Sequence, residues 1–218
     1  MGAKDSRPTP PQASNLLLGK CREELEAEFG AVHPKATIDR VFEDSLAGFS
    51  DAEVEDYVPT LAQRIARDRL RALGQVEGTI ARDRPEVVFV GLEGRGRSLM
   101  AAGLAELRSR GTVNVVATGT RATSALDANV IAAMAEIGVD LNEVYAKPLS
   151  REVLDAADVV VTLGRSVGAV EVPETAEHED WRVGDPVGAP LTEVRRIRHE
   201  LEARVDDLLA RLGASSEA

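Results

Sequence analysis

A single cysteine, few aromatic residues and a shortage of basic ones set the outer limits on this chain. Cys21 is the only thiol among 218 residues, so no internal disulfide forms and no cage of zinc thiolates can be assembled. A reducing, cytoplasmic setting is the expectation. Phe, Trp and Tyr together make up 3% of the chain. The core must then be built from Leu, Val, Ile and Ala, and stacking platforms for single-stranded nucleic acid are out of reach. Lys and Arg number 26 against 37 Asp and Glu, a formal net charge of −11, which repels phosphate backbones and anionic lipid at long range. Nucleic acid and membrane are therefore excluded as partners, and any anion has to be held by a local site. The longest apolar runs, Val87 to Val90 and Val159 to Val161, fall far short of the roughly 18 residues of a membrane span, and the first residues lack the apolar stretch of a signal peptide. Met1-Gly2-Ala3-Lys4-Asp5-Ser6 matches the loose N-myristoylation pattern, whose three fixed letters recur by chance. His33, His178 and His199 are scattered and flanked by charge, which places each at the surface; neither a metal site nor a cofactor is expected.

What is present is the composition of a soluble globular protein, 44% hydrophobic and 29% charged, with room for one large domain or two small ones. Residues 1–13 hold three prolines and almost no apolar side chains and read as a disordered tail. From the candidate cap Ser14, residues Leu17, Cys21, Leu25 and Phe29 recur every four positions and stop at Gly30. This puts Cys21 on the buried stripe of a helix. A second helix begins at Pro34 with Ile38, Val41, Phe42 and Leu46 on one face. A third follows the cap Ser50, with Val54, Tyr57, Val58, Leu61, Ile65 and Leu73 as its stripe and Pro59 kinking or dividing it. Residues 14–74 thus read as a three-helix bundle. A core below roughly 70 to 80 residues is marginal, so the bundle is expected to pack on the rest of the chain or on a second copy, with a homodimer as the expectation carried forward.

Beyond a linker at 75–85 the pattern changes. The runs Val87 to Val90, Val113 to Val116 and Val159 to Thr162 alternate with helical segments Ser98 to Arg110, Leu126 to Gly138 and Ser150 to Ala157, and a helix from Thr192 to Leu212 closes the domain. Buried strands separated by helices predict an α/β fold with a doubly wound parallel sheet over residues 86–213, followed by a short tail at 214–218. Ligands in such sheets bind beyond the carboxyl ends of the strands.

The first strand ends in Gly91-Leu92-Glu93-Gly94-Arg95-Gly96-Arg97-Ser98 and a helix opens. Glycine lets the backbone turn its N–H groups toward a ligand, and the helix N-terminus adds partial positive charge, so residues 91–98 form an anion cradle in outline. A glycine-rich turn without a ligand is the other reading of the octapeptide. As a nucleotide loop, Gly91, Gly96, Arg97 and Ser98 lie one substitution from the Walker pattern, with Arg97 in place of the lysine. The later strand, ending in Thr162-Leu163-Gly164, offers no carboxylate for magnesium.

The same segment resembles C-x5-R-S, the phosphate loop of low-molecular-weight protein tyrosine phosphatases and their thiol-dependent arsenate reductase relatives. The resemblance continues in order through Val87-Val88-Phe89-Val90, Ser98-Leu99-Met100-Ala101, Thr118-Gly119-Thr120, the stretch Ala133 to Leu141, Lys147-Pro148-Leu149 and Asp158 to Gly164. Glu179-Asp180-Trp181 and Asp185-Pro186 match the arsenate-reductase branch. The N-terminal helices are similar to the dimerisation module attached to some bacterial members. What the resemblance implies is an anion held by the loop amides and Arg97, with Ser98 beside it and Asp185 as general acid. It also implies a nucleophilic cysteine at the position of Gly91, which has no side chain. Further cysteines of the reductases fall at Arg165 and Ala169. The expectation is a bacterial pseudoenzyme that binds an oxyanion such as phosphate, sulfate or arsenate, or a protein partner. The alternatives are a phosphatase or arsenate reductase with another nucleophile, and a nucleotide-binding protein.

Overall fold

The computed structural model describes residues 10–49, 58–120, 126–141, 147–164 and 170–214. The myristoylation pattern, the Ser50 cap with Val54 and Tyr57, and Arg165 and Ala169 lie outside the described residues. The chain divides into two compact units, Met1–Ala81 and Arg82–Ala218.

The first unit is made of α1 (Pro10–Phe29), α2 (Lys35–Ala47) and α3 (Val58–Val76). Helix α1 begins four residues before Ser14, so Ser14 is not its cap. Proline is well placed in a first helical turn, where its missing N–H would have had no partner. Pro59 is the second residue of α3 as described, and the stretch from Ser50 that the expected kink or division would involve lies outside the described residues. Three side chains from each helix form the core: Cys21, Leu25 and Phe29; Ile38, Val41 and Phe42; Ala62, Ala66 and Leu70. Cys21 is 2% exposed, as its stripe predicts, and burial, with Glu24 nearby, pushes its thiol above the ordinary value.

His33 departs from expectation. It is expected at the surface, yet it is buried at 3% exposure. Its Nε2 lies 2.8 Å from the Leu70 carbonyl oxygen of α3, and its Nδ1 lies 3.6 Å from the carboxylate of Glu77. The turn between α1 and α2 folds over α3, and a ring N–H facing a carbonyl there satisfies itself without water. His178 and His199 are exposed as expected.

The second unit comprises β1 (Glu86–Gly91), α4 (Arg97–Ser109), β2 (Asn114–Gly119), α5 (Ala128–Ala135), β3 (Lys147–Pro148), α6 (Arg151–Ala156), β4 (Val159–Leu163), β5 (Glu177–Trp181) and α7 (Leu191–Arg211). The strands form one parallel sheet in the order β3-β2-β1-β4-β5, the doubly wound α/β arrangement that the alternating runs predict. Strands β1 and β4 are buried along their whole length. Val87, Phe89, Val159, Val161 and Leu163 join α4, α5 and α7 in one apolar cluster, while Val88 and Val90 point to the other face by strand alternation. Strands β3 and β5 are additions to the sequence reading. Strand β5 carries Glu177, His178, Glu179 and Asp180 and buries only Trp181. An edge strand of that composition gives no apolar run to detect. Among the described residues no helix is long and apolar enough to cross a membrane.

Candidate anion site

Strand β1 delivers Gly91 to the carboxyl edge of the sheet, residues 92–96 turn, and α4 opens at Arg97. Two neighbours fix the shape of that turn. Gly119 stands in register with Gly91 on β2, and a Cβ there would meet the Gly94 nitrogen at 2.6 Å and the Glu93 carbonyl carbon at 2.7 Å. The loop backbone therefore rests directly on the neighbouring strand. Gly94 itself has a φ of +67°, which a side chain would strain. Thr120 ties the turn down, its N–H donating to the Gly91 carbonyl at 3.1 Å and its hydroxyl to the Leu92 carbonyl at 3.3 Å. On the opposite side Gly96 packs against Pro186 and Val187, where an added Cβ would lie 3.1 and 3.2 Å away.

Enclosed by these contacts is a cavity of about 200 Å³ lined by residues 91–98, Asp185 and Val187. Every residue singled out for anion binding in the sequence, with Asp185 from 88 positions further on, meets there. The Arg97 guanidinium is largely buried, its Nη1 donating to the Val183 carbonyl and its Nη2 to Asp185 Oδ2, each at 3.3 Å. It lies over Gly164, whose φ is +90° and where any side chain would collide with the guanidinium. Asp185 also accepts the Val187 N–H on Oδ1 at 3.2 Å, so it is a turn former and a partner of Arg97 at once. Glu93 is paired with Arg95 and not with Arg97. Two carboxylates thus balance two arginines, leaving the loop N–H groups and the start of α4 as the net electropositive element.

Ser98, the second residue of α4, is 1% exposed, and its hydroxyl has no hydrogen-bond partner. Its Oγ lies 2.9 Å from the point a Cβ on Gly91 would occupy. Among the described residues no group of three His, Cys, Asp or Glu converges as a metal site.

Sequence reading missed two contributors. Asp127 caps α5 by accepting the Asn129 and Val130 N–H groups, and its other oxygen accepts the Gly188 N–H at 2.8 Å. The Gly188 bond is the main reason its carboxyl is held below the ordinary range. With Asn129 donating to the Ala189 carbonyl at 2.9 Å, the start of α5 anchors the segment that carries Asp185. An Asp just before an apolar helical run was the available signal, obscured because the periodicity starts at Leu126. The second is Gly164, whose role is visible only once Arg97 is placed.

The family described as low molecular weight phosphotyrosine protein phosphatase matches residues 86–218, the whole of the sheet and its loop. The chain belongs to that family. A second family, described as the protein-tyrosine-phosphatase-like N-terminal domain, matches residues 18–74. Among relatives, the glutaredoxin arsenate reductase of Synechocystis is 33% identical over 129 residues, 58% of this chain and 98% of the relative. Arsenate reductase 1 of Staphylococcus epidermidis is 30% identical over 118 residues, 53% of this chain and 89% of the relative. The solved thioredoxin-dependent arsenate reductase of Corynebacterium glutamicum is similar over both units, with a TM-score of 0.80, 28% identity, and coverage of 91% of this chain and 97% of its own. Family membership displaces the nucleotide-loop reading.

Proposed function

We propose that this phosphatase-family chain binds a small tetrahedral oxyanion, of the class of phosphate, sulfate and arsenate, in the loop 91–98 and performs no turnover on it. The observation that carries the reading is Gly91. It lies in the loop that lines the cavity together with Arg97 and Asp185, and it offers no atom to attack phosphorus or arsenic. Chemistry of this family's type needs a low-pKa thiolate at that position. Cys21 is no substitute, being sealed in the core of the first unit with its thiol pushed up. Losing the thiolate also removes a negative charge that would repel the ligand. An arriving anion then competes with Asp185 for Arg97 Nη2, while the Val183 carbonyl keeps the other arm of the fork in place.

Millimolar phosphate or arsenate should raise the melting temperature, with an increment that grows as the logarithm of one plus ligand concentration over Kd, and Arg97→Ala should abolish the rise. Asp185→Asn should strengthen it by releasing the arginine. An equal rise in wild type and Arg97→Ala would mark general salt stabilisation and end the proposal. In parallel, neither thiol-dependent arsenate reduction nor aryl-phosphate cleavage should exceed buffer. Turnover that persists in Cys21→Ala and disappears in Arg97→Ala would establish an enzyme with another nucleophile.

We also propose that the first unit dimerises the chain. Its core is small for three amphipathic helices, and Leu16 and Val76 remain 66% and 51% exposed. Light scattering at micromolar concentration should give twice 23.3 kDa. A monomer, or a dimer that survives deletion of residues 14–73, contradicts this.

A further inference from the structure

The segment Asp185-Pro186-Val187-Gly188-Ala189-Pro190 runs from the carboxylate that meets Arg97 to the start of α7. Bonds within it make it a single body, the Val187 N–H donating to Asp185 Oδ1 at 3.2 Å and the Ala189 N–H to the Pro186 carbonyl at 3.1 Å. Its hold on Arg97 is weak, because Asp185 is 59% exposed and its Oδ2 lies 3.3 Å from Nη2, a pair that solvent screens. Its hold on α5 is stronger. Asp127 Oδ2 accepts the Gly188 N–H at 2.8 Å, a short bond to an ionised group, and Asn129 Nδ2 donates to the Ala189 carbonyl at 2.9 Å. The Gly188 φ of +72° would strain any side chain, so a glycine is what lets the turn present that N–H.

We infer that Asp127 is a positioning residue: by latching Gly188 to α5 it seats Asp185 against Arg97, and so governs how far the guanidinium is open to a ligand. The latch stands on its own contacts, while its effect on a ligand rests on the binding proposed above. Asp127 does two jobs with two oxygens. Oδ1 caps α5 by accepting the Asn129 and Val130 N–H groups, and Oδ2 takes Gly188. Asparagine separates the two. It caps a helix as well as aspartate does, and its one oxygen stays where two N–H groups meet it. Its amide group then faces the Gly188 N–H, donor against donor, and the latch opens.

Proton exchange followed by magnetic resonance on the full chain, without ligand, tests this. In Asp127→Asn the Gly188 N–H and the Arg97 guanidinium protons should exchange about tenfold faster, the scale of one lost hydrogen bond to a charged group. The Val130 N–H should keep its wild-type rate. Unchanged rates at Gly188 or Arg97 refute the inference, and equal acceleration at Val130 and Gly188 would show a helix cap and nothing more. Calorimetric titration with inorganic phosphate supplies a second arm. Asp127→Asn should tighten binding severalfold in the wild-type background and add nothing in Asp185→Asn, because the latch acts through that carboxylate. An equal gain in both backgrounds would reflect only the lost negative charge and overturn the route through Asp185. If wild type binds no phosphate, the binding proposal falls and the exchange rates decide the latch.

Discussion

Among the described residues, nine side chains meet in the core of the helical unit, three per helix, whereas twenty-six meet in the main core of the α/β unit. The first unit also buries a histidine against a helix carbonyl and links its helices at the rim through pairs such as Arg22 with Asp39 and Glu43 and Arg67 with Glu28. Exposed pairs of this kind each contribute little. The second unit instead closes two strands completely and hangs its polar groups at the carboxyl edge of the sheet. A unit with a small core has little apolar burial to spare, and its exposed ion pairs add little to it. A unit with a complete core can carry a glycine-rich, partly unsatisfied loop without losing its shape.

The largest effects expected from breaking this contrast come from its two central rings. Phe42→Ala and Phe89→Ala each remove a fully buried phenyl, at a cost of about 3–5 kcal/mol. That is comparable with all that a core as small as the first unit's supplies, about 3–5 kcal/mol. Phe42→Ala should therefore abolish part of the helical circular dichroism at room temperature. Trp181, the sole tryptophan, packs 5.7 Å from the Phe89 ring and reports on the second unit alone. Its urea transition should be unchanged in Phe42→Ala and should move to lower urea in Phe89→Ala. If Phe42→Ala moves the tryptophan transition as far as Phe89→Ala does, the two units are one cooperative structure and the contrast fails.

A smaller effect sharpens the comparison on the side of acid. Glu136, just after α5, is gripped by Arg195, with Nε 3.0 Å from both carboxylate oxygens, and by Arg198 at 3.1 Å, which together hold its carboxyl at about 2, against the ordinary 4.5 of a glutamate. A folded-state value below the unfolded one means the contribution is complete above pH 4.5 and is lost as pH falls toward about 2. Tryptophan-detected stability should decline through that window, and Glu136→Gln should flatten the decline. An identical pH profile in the variant would show that the arginine grip contributes nothing to folding.

Legibility in the sequence followed the same division of labour. Apolar runs buried on both faces, such as Val87 to Val90 and Val159 to Leu163, announced themselves, as did the octapeptide that follows the first. Strand β5 did not, because an edge strand is stabilised by backbone pairing and solvated side chains. His33 misled because a polar residue in a turn reads as exposed, while its neighbours in space are the Leu70 carbonyl, the Phe29 ring and the Glu77 carboxylate. That residues 91–98 and Asp185 come together was legible through the family resemblance, and they line one cavity. What was hidden is how they are restrained. Gly164 gives way to a guanidinium, and Asp127 holds Gly188, through contacts that no local pattern encodes.

Gly119 has a consequence for how such a chain can change over generations. Its bare Cα is the seat on which the loop backbone lies, and any larger residue would drive into peptide atoms that cannot swing aside. The form of the loop is thus fixed at position 119 on one strand, whatever residue stands at position 91 on the next. A lineage can therefore vary position 91 while the backbone path of the loop is passed on intact.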